Sequence, residues 1–245
     1  MDLLTVSKSL LVSSFNLFLY NPLLNILLLL YRYLPGHDFG ITVIVLTILI
    51  RIILYPLGNQ AIRSQKVLQE LQPKLQEIQG KYKNDREKQA KATMELYKKE
   101  KINPFSGCLP IIIQLPILVA LYRVFWRGLQ PGAQTSLYSF VPHAGQINPM
   151  FLGIINLSQP SPLLAVFAGI SQFIQSKMVS PQVKNSQRKN SDFSEMMQKQ
   201  MLYFFPVFTI LILWRFPAAL AIYWIVTTVF SIFQQYLIFK PRAKA

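Results

Sequence analysis

The sequence predicts an all-α fold: a polytopic helical membrane protein with five transmembrane helices, an N-terminal interfacial helical segment and a cytoplasmic helical hairpin. Three observations carry the prediction. Of 245 residues, 52% are hydrophobic and only 14% charged, unlike an ordinary soluble domain or a disordered chain. Several apolar runs reach the roughly 17–25 residues that a spanning helix needs, while ten-residue blocks of period-two alternation, the mark of a membrane barrel, are missing. The formal charge of +15, from 25 Lys and Arg against 10 Asp and Glu, is gathered into particular loops, an asymmetry that orients membrane helices and does not call for a specific nucleic acid.

Residues 3–34 are apolar but broken at Asn21 and Pro22, and Lys8, Asn16, Asn25 and Arg32 punctuate them. The halves 9–20 and 23–34 have 12 residues each. As helix each would be about 18 Å long, too short to span, so residues 1–37 are assigned to helices at the outer interface, with one continuous kinked span as the alternative. No small-residue cleavage site follows a clean apolar core, so a removable signal peptide is not expected. Pro35 and Gly36 then turn the chain into the first span, residues 38–57. Its apolar run ITVIVLTILIRIILYPL is interrupted only by Arg51. A charge inside an apolar span costs at least about 2.5–3.5 kcal/mol on insertion scales, so Arg51 needs pairing, water or function to offset it.

Residues 58–103 carry eleven Lys or Arg against six acids and are assigned to the cytoplasm by the positive-inside tendency, which places the start of the first span outside. Leu68, Leu71, Leu75, Ile78 and Tyr82 recur at spacings of three and four, the stripe of an amphipathic helix. Pro73 must kink that helix or stand in a restarted first turn. Gly80, Asn84 and Asp85 break it, with Asn84 placed as N-cap and Glu87 as its third helical residue. A second helix runs to about Lys99 with Ala90, Met94 and Tyr97 on one face. The two helices form an antiparallel hairpin.

The second span, residues 104–127, holds Pro110 and Pro116, tolerated in membrane helices, and the polar Gln114 between them. Tyr122, Arg123, Trp126 and Arg127 anchor it at the interface. The loop 128–160 has no charged side chain, as expected outside. The third span, 161–178, carries Gln172 and Gln175, and the polar segment 179–200 returns to the cytoplasm with Lys184, Arg188, Lys189 and Lys199, a composition expected to be mobile. A fourth span, 201–216, and a fifth, 217–239, are joined by Arg215, Phe216 and Pro217 as a tight hairpin. The basic tail 240–245 is cytoplasmic, consistent with five spans and an outside N-terminus.

Chemical catalysis is not expected. The single Cys108 lies in an apolar run and reads as a small core residue, giving no disulfide framework or metal cluster. The histidines, His37 and His143, fall in outside loops, no G-x-S-x-G occurs and no acid lies in an assigned span past Asp38, the outer edge residue of the first. No G-x-x-x-x-G-K loop indicates a nucleotide. No cofactor or metal is expected. Without a resident acid, Arg51 either snorkels about 9 Å to the cytoplasmic boundary or faces a water-filled cavity. Gln114, Gln172, Gln175, Thr227 and Thr228 add polar groups at membrane depth, and with an unpaired Arg they favour a groove open to the cytoplasm. A small-solute transporter or channel is the alternative reading. It calls for internal repeats, and none is convincing here.

The segments TILIRIILYPL, QAIRSQKVLQELQPKLQEIQGKY, NPFSGCLPIIIQLPILVALYRVF and FPAALAIYWIVTTVFSIFQQYLI together resemble the YidC family of membrane protein insertases, over roughly residues 38–239. The resemblance implies a bacterial inner (plasma) membrane protein with a hydrophilic groove closed to the outside, Arg51 within it, and insertion without nucleotide hydrolysis. It maps the family's third-span glutamine to Gln175 or Gln172 and its fifth-span tryptophan to Trp224. It makes the hairpin a recruitment region, with Leu68, Leu71, Leu75, Ile78, Tyr82, Met94 and Tyr97 as its candidate residues. Implied partners are nascent membrane proteins, the lipid bilayer, and as candidates the Sec translocon, the ribosome and signal recognition machinery. The expected form is the short one, without a large periplasmic domain or lipoprotein cysteine. Its short tail speaks against ribosome binding through a long basic extension.

Overall fold

The computed structural model describes residues 12–101, 109–128, 137–142, 145–179 and 200–239. Expectations for Cys108, His143, the polar segment between 179 and 200 and the basic tail fall outside these residues. Helix predominates, as the sequence predicts.

Helix α1 runs unbroken from Val12 to Tyr33, so the break expected at Asn21 and Pro22 is absent. The reason is local. A π-helical turn, Asn16–Tyr20, precedes the proline, with the Asn21 amide donating five residues back to Asn16 O. That wider turn makes room for a ring that would otherwise strike the preceding turn. Leu24, Leu27 and Leu28 are wholly buried, and α1 packs on α2 (Phe39–Ile53) and α6 (Leu109–Gly128).

Asp38 caps α2, its Oδ1 accepting from Ile41 N at 2.9 Å. The apolar run does not continue straight to Leu57: the chain breaks at Leu54, and α3 (Tyr55–Glu70) leaves at 68°. Pro56 in the first turn of α3 has no amide to bond a carbonyl of α2, so one continuous ladder cannot form. Pro73 stands in the first turn of α4 (Gln72–Lys81), the second of the two placements the sequence leaves open. The cap of α5 (Arg86–Lys99) is Asp85, not Asn84. Its Oδ1 accepts from Lys88 N at 3.0 Å, and its charge also suits the positive end of the helix dipole. α4 and α5 pack together, with Lys74 Nζ 2.6 Å from Glu100 Oε1.

The remaining helices are α6, with Pro116 inside it, α7 (Pro162–Val179), α8 (Phe205–Leu213) after a π-helical turn at Gln200–Phe204, and α9 (Ala218–Phe239). The turn between them is residues 214–217, one residue longer than expected, and α8 and α9 barely touch beyond it. Both pack on α7 instead. Gly169 of α7 permits this on the α8 side, because a Cβ there would overlap the Ile210 side chain. By length and composition α1 and α9 are sufficient to cross a membrane, and the bent pair α2 and α3 qualifies when counted as one span.

The ends of the bundle differ. At one, the upper end, a two-stranded antiparallel ribbon of β1 (Met150–Phe151) and β2 (Ile155–Asn156) covers the start of α2. Asp38 Oδ2 accepts from Leu152 N, Asn25 Oδ1 from Tyr138 N and Tyr31 Oη from Asn148 N. Beneath them Phe39, Val43, Leu121, Val124, Phe125, Ala165, Ala168 and Ala218 are at most 1% exposed. At the lower end, from which α3 to α5 project, packing loosens: Ile52 and Ile53 of α2 are 56% and 72% exposed, and Ile112 and Leu115 of α6 are 60% and 55% exposed.

Candidate functional site

Arg51 sits in the last turn of α2, within the loosely packed half, and is half-buried. Its Nη2 donates to Gln114 Oε1 of α6 at a long 3.5 Å, and Gln114 Nε2 donates to the Tyr223 hydroxyl of α9 at 2.7 Å. Three helices are joined by one polar relay. Tyr223 is 1% exposed, so its hydroxyl holds the amide in one orientation, with the carbonyl oxygen turned to the guanidinium. Among the described residues Arg51 makes no ion pair. A guanidinium has five N–H donors, and one long bond to a neutral amide leaves most of its capacity for an acceptor from elsewhere.

A second link lies one residue along α9. Successive residues of a helix point about 100° apart. Tyr223 therefore meets α6 while Trp224 turns to α7, where its Nε1 donates to Gln172 Oε1 at 3.0 Å. Of the two glutamines expected on α7, Gln172 is the one brought to the tryptophan. Gln175 is half-buried and lies a turn further down. Thr227 and Thr228 are buried, and the Thr228 hydroxyl donates to Trp224 O of its own helix at 2.8 Å.

Sequence reasoning missed the rest of this stripe. Tyr223, Thr227, Ser231 and Gln235 follow one another at i, i+4 spacing, Gln234 stands beside them, and all are at most 8% exposed. Gln234 Nε2 reaches Asn59 Oδ1 of α3 at 3.2 Å, and Lys66 Nζ approaches the Ile238 carbonyl at 3.4 Å, so α3 is tied to the lower end of α9. The signal was that spacing: four polar or amphipathic residues on one face of an otherwise apolar span.

In the hairpin, Leu71 and Leu75 are buried and Leu68, Ile78, Tyr82 and Tyr97 half-buried, but Met94 is 49% exposed and Ala90 is exposed as well. The sheltered face of α5 instead runs through Gln89, Thr93, Leu96 and Tyr97. The Lys88 amide and ammonium hold Asp85 below the usual carboxylate range, and Lys74 does the same for Glu100. Partial burial pushes the Tyr97 phenol up. Among the described residues no three His, Cys, Asp or Glu side chains are grouped as a metal would need.

The family described as 60Kd inner membrane protein matches residues 29–245. The membrane protein insertase YidC of Geobacter metallireducens is 38% identical over 229 residues, 93% of this chain but 38% of that protein. The one from Syntrophus aciditrophicus is 38% identical over 221 residues, and there the chain spans 36% of the relative's length. Against the membrane protein insertase YidC of Fusobacterium nucleatum the identity is 36% over 230 residues, covering 92% of this chain and 99% of the relative.

Proposed function

The chain belongs to the 60Kd inner membrane protein family, whose similar members are named as membrane protein insertases, and on that premise we propose that it inserts nascent membrane proteins through a polar groove, without nucleotide hydrolysis. The observation that carries the proposal is Arg51, a cation without an ion pair among the described residues, held at the loosely packed half of the bundle by Gln114 and Tyr223.

In this reading α2, α6, α7, α8 and α9 are the five spans. The upper end faces outside, and the N-terminus lies there. The hairpin and the C-terminus are cytoplasmic. Helix α1 lies across the outer end instead of crossing the bilayer, despite its length. Phe15, near its start, packs under Arg123 in the upper half of α6, while Tyr31, near its end, binds the outer loop at Asn148, so both ends of α1 meet upper residues.

The polar leading segment of a substrate enters the groove from the cytoplasm, and its acidic side chains meet Arg51. Gln114, Gln172, Trp224, Thr227 and Thr228 line the polar surface, with Gln175 nearer its mouth. The apolar segment leaves sideways into lipid. Each Leu, Ile, Phe or Val gains about 0.3–0.6 kcal/mol at bilayer depth, so some twenty of them outweigh the cost of one or two charges, at about 2.5–3.5 kcal/mol each. The tight upper half disfavours a through-pore for solutes. Leu68, Leu71, Leu75, Ile78, Tyr82, Met94 and Tyr97 belong to the hairpin that recruits substrate or partners. Sec translocon, ribosome and signal recognition machinery are the partners this reading allows.

The test is photocrosslinking from positions 51 and 224 to a stalled nascent chain in membranes. Adducts at both positions, from the substrate's polar segment, are expected. Adducts only at lipid-facing controls such as position 53 would overturn the groove.

A further inference from the structure

The upper end of the bundle is cationic in a way the insertion reading does not use. Its charged residues among those described are Arg32, Arg123, Arg127, Arg215 and one acid, Asp38. Both oxygens of Asp38 are taken by backbone amides, those of Ile41 and Leu152, and none of the four arginines forms an ion pair with a described residue. Two of them, Arg123 and Arg127, stand one turn apart on α6. Beside them Tyr122 and Trp126 stack at 6.1 Å between ring centroids, with Trp126 51% exposed, a pairing that marks the level of lipid headgroups.

The Arg123 guanidinium lies over the Phe15 ring of α1, 5.0 Å from its centroid. A guanidinium held over an aromatic face by cation–π attraction does not spend its N–H donors there, and they remain suited to a phosphate. Beside it is an open cleft of about 160 Å³ whose lining among the described residues is Val12, Phe15, Val119 and Arg123, apolar except for that guanidinium. Val12 and Val119 are 51% and 45% exposed, so the cleft opens to the bilayer side of the protein.

We infer that this corner binds an anionic phospholipid, with the phosphodiester on Arg123 and Arg127 and an acyl chain in the cleft between α1 and α6. Charge complementarity selects the occupant: two arginines with no acid paired to them among the described residues call for a headgroup of net negative charge, and an apolar slot adjoining Arg123 calls for a tail joined to it. A lipid seated there would hold α1 against α6 from outside, as Phe15 does from within. The inference rests on the chain being a membrane protein, and it is independent of whether Arg51 serves insertion.

The full chain is reconstituted in phosphatidylcholine vesicles carrying a small fraction of either phosphatidylglycerol or phosphatidylcholine with a photoreactive acyl chain, and adducts are mapped by mass spectrometry. Adducts on peptides containing Val12 to Phe15 or Val119 are expected with phosphatidylglycerol in excess over phosphatidylcholine, by about five-fold per arginine engaged. In Arg123→Gln/Arg127→Gln that excess falls to parity. Val119→Trp, which fills the cleft at a half-open position, abolishes the adduct while helicity by circular dichroism is unchanged. Equal labelling by the two lipids in the wild type, or an excess that survives the double substitution, would overturn the inference. Absence of lipid adducts together with crosslinks from position 123 to a substrate chain would assign the corner to polypeptide instead.

Discussion

Replacing Arg51 by alanine removes the one charge of the relay and leaves Gln114 bonded to Tyr223, so α6 and α9 keep their link while the site loses its cation and α2 one long bond. A carboxylate about 4 Å from a guanidinium gains about 4 kcal/mol at an effective dielectric constant of 20, and about 1 kcal/mol in bulk water. Arg51 is half-buried and sits where packing loosens, so an intermediate figure of about 2 kcal/mol per acidic side chain follows. If that contact is made as the polar segment crosses, its loss slows insertion about 30-fold for a segment with one acid. The assay is protease protection in vesicles reconstituted with the pure chain, using single-span substrates whose leading segments carry no acid, one or two. Arg51→Ala should insert the neutral substrate near the wild-type rate and the acidic ones progressively more slowly, while Arg51→Lys keeps most of the activity. Equal loss for neutral and acidic substrates would assign Arg51 to structure. An undiminished rate for the two-acid substrate refutes the role of the charge altogether.

Gly40→Ala should destabilise the chain by about 1–3 kcal/mol, because its methyl overlaps the Phe151 ring where the ribbon lies on α2. Thermal unfolding in detergent checks this, and Phe151→Ala in the same chain should return part of the loss. Asp85→Ala should remove the cap and raise amide exchange in the first turn of α5, with exchange in α9 unchanged. Asp85 and Glu100 both have lowered pKa values, so the support they give is present above their ordinary values of 3.8 and 4.5 and is lost as pH falls through the lower folded ones. Exchange in the hairpin should therefore rise on acidification below about pH 4. Gln172→Leu removes the acceptor of the Trp224 indole and should shift that residue's emission in a chain with its other tryptophans replaced by phenylalanine. Gln175→Leu should leave it in place.

Legibility in the sequence followed how local the deciding physics was. Pro73 restarts α4 and Pro217 closes a four-residue turn because both effects act within a few bonds, and the stripe of Leu68, Leu71 and Leu75 is a periodicity. The break assigned to Asn21 and Pro22 failed on an equally local matter, since a π-helical turn absorbs a proline and leaves no compositional sign. The choice of Asp85 over Asn84 as cap depended on one residue of register between two competent side chains. Gln114 and Arg51 were singled out for the same reason, polarity inside an apolar run, and they meet. Tyr223 was passed over because an aromatic residue in a membrane span does not stand out by polarity. Only the fold shows its hydroxyl closing the relay. The bend at Leu54 was hidden because Tyr55, Pro56 and Leu57 continue the apolar run, and hydropathy carries no direction.

The side chains that fasten the upper end belong to an early part of the chain and their partners to a late one. Asn25 waits for Tyr138, Tyr31 for Asn148 and Asp38 for Leu152, separations of 113, 117 and 114 residues. At about 5–20 residues per second, synthesis separates each of these acceptors from its late donor by roughly 6–23 seconds. During that interval α1 and α2 exist without the ribbon that will cover them. The three bonds thus record the order of assembly: this end of the protein closes only after the late segment that covers it has been made.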